Sequence, residues 1–157
     1  MRRASCCLKP LEVLDIAARH HMVVGTGHVG AEEGMALVRA AAERNCTIVL
    51  THADNPADCY SVEQQEEAAA LGAYVEHCFF TTFHGRTPIE EIARQIRAVG
   101  CDRVLLTTDF WTAQRPPAPM RAWRSIAPAA PGPGLRPGQE LETYDVPGAR
   151  RLLHPHR

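Results

Sequence analysis

The stretch "VVGTGH", residues 23–28, runs from two valines through glycine, threonine and glycine to a histidine. An apolar run followed by turn residues reads as a short buried strand, yet this one finishes on an imidazole. "IVLTHAD" (48–54), "YVEHC" (74–78) and "VLLTTD" (104–109) repeat the pattern. Their polar endings fall at His28, His52, Glu76 with His77, and Asp109.

Between these runs the period changes to that of a helix. "PLEVLDIAARHH" (10–21) places Leu11, Leu14 and Ala18 at helical spacing, with Pro10 suited to a first turn. "AEEGMALVRAAAERN" (31–45) carries acids in its first turn, a stripe of Leu37, Val38 and Ala41, and Asn45 as a stop. Ser61 and Gln64 form a capping box before "VEQQEEAAAL", which ends at Gly72. Thr87, Pro88 and Glu90 supply an N-cap, an N1 proline and an N3 acid for a helix that stops at Gly100. The predicted order is therefore α-β-α-β-α-β-α-β. Apolar strands alternating with helices imply an α/β fold whose parallel sheet is covered by helices.

From residue 112 the texture changes. Nine of the chain's twelve prolines lie beyond that point, among many arginines, and "PAAPGPGLRPGQ" has no usable period. The expected organisation is an α/β domain over 1–111 and an irregular Pro/Arg-rich tail over 112–157.

Bulk composition narrows the function classes. The chain has 157 residues, 45% hydrophobic and 22% charged, with a formal net charge of -1. So neutral a balance argues against nucleic acid or an anionic membrane as the main partner. No apolar run approaches the length of a membrane helix, and "MRRASCCLKP" has no apolar core of the kind a secretory signal needs. Cysteines 6, 7, 46, 59, 78 and 101 form no C-x-x-C pair, so a zinc ribbon is not indicated. Reduced structural thiols and a cytoplasmic location are expected.

In a parallel α/β sheet the carboxyl ends of the strands open on one face, where ligands bind. Imidazole and carboxylate groups gathered there suit a divalent ion, Zn²⁺ foremost. Each residue alone has a plainer explanation. A histidine at a strand end commonly bonds a backbone carbonyl, and an aspartate there caps a turn. Glu76 and His77 are adjacent in a strand and so face opposite sides. Gly25, Gly27 and Gly30 fit G-x-G-x-x-G, but no acid closes the next strand at a ribose-binding distance, and a P-loop lysine is absent. His84, in "TTFHGRTP", is placed to line the mouth with Arg86. His154 and His156 form an H-x-H with no strand before it.

"VVGTGHVGAEEGMALVRAA", "IVLTHADNP", "SVEQQEEAAALGAYVEHCFF" and "AVGCDRVLLTTDF" together resemble the second half of the amidohydrolase-like, metal-dependent hydrolase barrels. The likeness spans about residues 8–120 and is nearest to an uncharacterised group within that superfamily. It implies half of a TIM-type barrel and a divalent metal held by His28, His52 and Asp109. It also implies Asp109 as general base in hydrolysis of a C–N or ester bond of a small-molecule substrate. Glu76, His77 and His84 would contact substrate or support the ligands. The family's His-x-His and its strand-four lysine or glutamate have no counterpart here, and four strands cannot close such a barrel. An incomplete barrel with impaired or no activity alone is thus expected. Two alternatives stand beside it: an α/β fragment that pairs through open sheet edges, with a second copy or a missing N-terminal half, and a metal-dependent phosphoesterase.

Overall fold

In the computed structural model, which describes residues 3–109 and the side chains of 9–109, four parallel strands alternate with helices. Helix α1 (Arg3–Arg19) leads to β1 (Val23–Gly25), α2 (Ala31–Glu43) to β2 (Thr47–Leu50), and α3 (Val62–Ala70) to β3 (Tyr74–Cys78). Two helices follow, α4 (Phe79–Phe83) and α5 (Ile89–Val99), then a single 3₁₀ turn at Cys101–Arg103 and β4 (Val104–Thr107). The expected tail over 112–157, with His154 and His156, lies outside the described residues.

Spatial order equals chain order, β1-β2-β3-β4. Val24 stands opposite Ile48, Leu50 opposite Val75, and Val75 opposite Val104. One core joins Leu14 and Ala17 of α1, Met35 and Val38 of α2 and Ala68 of α3 to Ile48, Leu50 and Val75. Ile92 and Ile96 of α5 pack on Val104, the register partner of Val75. All four long helices therefore cover the same face of the sheet. Right-handed crossovers that always step in one direction produce this arrangement. It is the winding of a barrel wall rather than of a doubly wound sheet, and here the sheet is open. On the other face Val49, Tyr74 and Leu105 form a small cluster of their own.

Several local signals act as the sequence implies. The Ser61–Gln64 capping box is complete in both directions, and Asn45 ends α2 with φ 52. Others differ. Helix α1 begins at Arg3, so Pro10 lies inside it rather than in its first turn. Thr87 does not cap α5. Its hydroxyl donates instead to the Asp54 carbonyl (2.8 Å), and Pro88 takes the N-cap position. The strands are shorter than most of the apolar runs, and Phe79 and Phe80, directly after β3, begin α4.

The shortening answers why apolar runs end on polar groups. His28 lies three residues beyond Gly25, and His52 two beyond Leu50. Both sit in the turns that follow their strands, at the rim and not in the pleat.

Candidate metal centre

Parallel pairing of β1 with β2 brings the turns after these strands side by side. The link is made by their own polar groups. The Thr26 N–H donates to the Val49 carbonyl (2.9 Å), the Thr51 N–H to the Thr26 hydroxyl (3.0 Å), and the Gly27 N–H to the Thr51 hydroxyl (3.1 Å). Gly27 has φ 66, a backbone conformation glycine adopts at no steric cost. A Cβ on Gly25 would stand 3.0 Å from the Thr51 hydroxyl, so that glycine admits the close approach. The result sets the rings of His28 and His52 against each other, 4.4 Å between centroids and tilted by 35°.

The third member comes from the turn after β2. Asn55-Pro56 starts a reversal in which the Asn55 side-chain oxygen accepts the Ala57 N–H (3.2 Å). The Asp58 N–H returns to the Asn55 carbonyl (2.9 Å). Asp58 is thereby carried back beneath His52, with its Oδ2 2.7 Å from His52 Nδ1 and 3.9 Å from His28 Nδ1. Ligand atoms of His28, His52 and Asp58 all lie within 4.8 Å of one another.

Burial separates the roles. The side chains of His52 and Asp58 are 5% and 3% exposed, whereas His28 is 76% exposed. His52 Nδ1 and Asp58 Oδ2 are buried and, despite their closeness, form no hydrogen bond of acceptable angle. At 2.7 Å they form a buried imidazole–carboxylate pair, and His28 brings a third donor atom within 4.8 Å of both. Two imidazoles and a carboxylate are also a suitable donor set for a divalent metal. These residues fit a metal, and exposed His28 leaves one side open to solvent.

The other predicted residues are placed as follows. Asp109 stands at the exposed end of β4 with φ 52, outside the group formed by His28, His52 and Asp58. Glu76 is half-buried and accepts the His52 N–H (3.1 Å). His77, fully buried, faces the helices, with Nδ1 3.3 Å from Asp54 Oδ1. His84 follows α4, its ring 4.3 Å from that of Phe80 and edge-on to Phe83. Asp58 was absent from the sequence-based set. The signal for it was the Asn-Pro reversal, which returns the chain to His52 within six residues.

Residues 8–76 match a family of unknown function, DUF6282. The match includes His28, His52 and Asp58 and ends at Glu76. No curated protein and no solved structure matches the chain. Since the family carries no assigned chemistry, the chemistry rests on the geometry of the site.

Proposed function

We propose that the chain binds one divalent cation, Zn²⁺ by preference, through His28, His52 and Asp58, and that this centre serves hydrolysis of a C–N or ester bond in a small molecule. The observation that carries this reading is the convergence of donor atoms of His28, His52 and Asp58 within 4.8 Å of one another, with His52 and Asp58 buried. A bound divalent ion supplies Lewis-acid polarisation of a carbonyl oxygen and makes water more acidic near neutral pH.

The residues divide the remaining work. His52 and Asp58, held from behind by the fold, fix the donor geometry. His28 closes the set from the solvent side and leaves access for substrate. Asp109 lies outside the group formed by His28, His52 and Asp58. At the rim of β4 it is assigned to the substrate, as acceptor for the proton that the attacking water releases. The likeness of the strand endings to the amidohydrolase-like barrels supports hydrolysis over simple metal storage.

The test is zinc binding by the full chain, followed by hydrolysis assays before and after chelation. His52→Ala and Asp58→Asn are expected to weaken zinc binding at least tenfold, and Asp109→Asn to leave it unchanged. On a panel of amides, lactones and carboxylic esters, the incomplete barrel is expected to give weak turnover at most, which chelation removes, zinc restores and Asp109→Asn abolishes. Turnover of phosphate esters alone would favour a phosphoesterase. Zinc bound as tightly by Asp58→Asn as by the wild type would contradict the ligand set.

A second reading, pairing through sheet edges, is supported by a different observation. Among the described residues β1 pairs on one side only, and Val13, Ile16, Met22 and Val23 are exposed beside it.

A further inference from the structure

Eleven residues, 51–61, connect β2 to α3 without helix or strand, and the turn over 51–60 carries two of the three proposed ligands. The turn's own hydrogen bonds, among them Asn55 N–H to the His52 carbonyl (2.8 Å) and Tyr60 N–H to the Ala53 carbonyl (3.2 Å), fold it back on itself but do not anchor it to the sheet. His52 is also at φ 34, a conformation a non-glycine residue keeps only when its surroundings impose it. Contacts from outside the turn anchor it.

The contacts lead to two neighbours on β3. Val75 lies in the layer beneath the helices, and side chains alternate along a strand. His77 therefore points towards the helices and Glu76 towards the opposite face. From its face, Glu76 accepts the His52 N–H through Oε2 (3.1 Å), while its own carbonyl accepts the Ala53 N–H (2.8 Å). From the helix face, fully buried His77 brings Nδ1 to 3.3 Å from Asp54 Oδ1. The other carboxylate oxygen of Asp54 receives the Thr81 hydroxyl, and the Asp54 carbonyl receives the Thr87 hydroxyl (2.8 Å). The turn is thus gripped from both sides of the sheet at 52, 53 and 54.

Stability alone is a weak reason for the His77–Asp54 pair. Burying two polar partners of this kind yields little net stabilisation compared with apolar residues of similar volume. Its placement gives a better one. Asp54 lies between the two ligands of the turn, two residues after His52 and four before Asp58.

We propose that Glu76 and His77 are positioning residues that clamp the 51–60 turn from opposite faces of β3, Glu76 at His52 and His77 at Asp54, and so set the spacing of His52 and Asp58 for the metal. The clamp rests on the metal reading above. Partners behind a first set of ligands typically change metal affinity by about 10- to 100-fold when removed.

The experiment uses the full chain. Zn²⁺ affinity is measured by competition with a chromophoric chelator, Co²⁺ absorption reports the coordination geometry, and thermal melts verify folding. Glu76→Ala and His77→Asn are expected to lose about 10- to 100-fold in zinc affinity and to alter the Co²⁺ spectrum. Glu76→Gln, which keeps an acceptor oxygen for the His52 N–H, is expected to recover both. Because His77 is fully buried, half-buried Glu76 provides the decisive variant if His77→Asn does not fold. Folded Glu76→Ala that binds zinc with wild-type affinity and spectrum would overturn the clamp alone. Wild-type protein that binds neither ion would overturn the metal reading with it.

Discussion

Gly34, which closes the first turn of α2, passes directly under the ring of Tyr60. A Cβ there would collide with the Tyr60 hydroxyl and stand 2.7 Å from Cζ and 2.8 Å from Cε1. Tyr60 is 3% exposed, so its ring has little room to yield. Gly34→Ala is therefore expected to destabilise the chain by about 1–3 kcal/mol, the usual cost of overpacking, despite alanine's better helix propensity. Chemical denaturation checks it; an unchanged or raised midpoint would show that Tyr60 moves freely. The residue also ends the ligand-bearing turn, so the same substitution should weaken zinc binding. At this scale the sequence was partly legible. His28 and His52 could be found because a histidine just beyond an apolar run is conspicuous. Asp58 could not, because its place depends on a reversal at Asn55-Pro56 whose direction only the three-dimensional turn defines. Asp109 looked equivalent to the histidines in sequence, but the group they form takes its carboxylate from Asp58 instead.

Helix α5 illustrates how elements communicate with the site. Glu91 accepts from Arg94 Nε (2.8 Å) and from the Gln95 amide (2.9 Å). Gln95 in turn accepts from the buried Gln65 amide (3.0 Å), which also donates to the Tyr60 carbonyl (3.0 Å). The chain of contacts runs from α5 through α3 to the end of the turn. The Arg94 and Gln95 hydrogen bonds hold the Glu91 carboxyl well below its usual range, from 4.5 to about 2. A depressed carboxyl pKa means that this contribution is complete above about pH 4.5 and fades as the pH falls towards 2. Partial exposure keeps it small, about 0.3–0.5 kcal/mol. Glu91→Gln should flatten that part of the stability–pH curve, and an acid limb as steep as the wild type's would assign the effect to other carboxylates. Element boundaries were less legible than element types. Thr87 has every local feature of an N-cap, yet the tertiary demand of the Asp54 carbonyl claims its hydroxyl, and Phe79–Phe83 coils because the chain must turn over the rim after β3.

Across the whole molecule, the alternation of apolar runs with helical stretches was enough to specify a parallel, helix-covered sheet. That all the long helices lie on one face was not in the alternation itself; it follows from the order β1-β2-β3-β4. The barrel-like winding leaves β1 paired on one side among the described residues, with Val23 47% exposed. Such an edge is a template for another strand, and a lysine on it is an effective block. If edge pairing operates, sedimentation should show concentration-dependent association that Val23→Lys abolishes, and a monomer at all concentrations would remove that reading. The same winding points the turns after β1 and β2 to one rim, and this convergence is what any chemistry here depends on. Its most direct test is a zinc-edge anomalous difference map of crystals of the zinc-loaded chain. The account predicts a peak bounded by His28, His52 and Asp58, with nitrogen ligands at about 2.0–2.1 Å and the carboxylate oxygen at about 2.0–2.2 Å. A peak on Asp109 without Asp58, or none at the rim of β1 and β2, would contradict it.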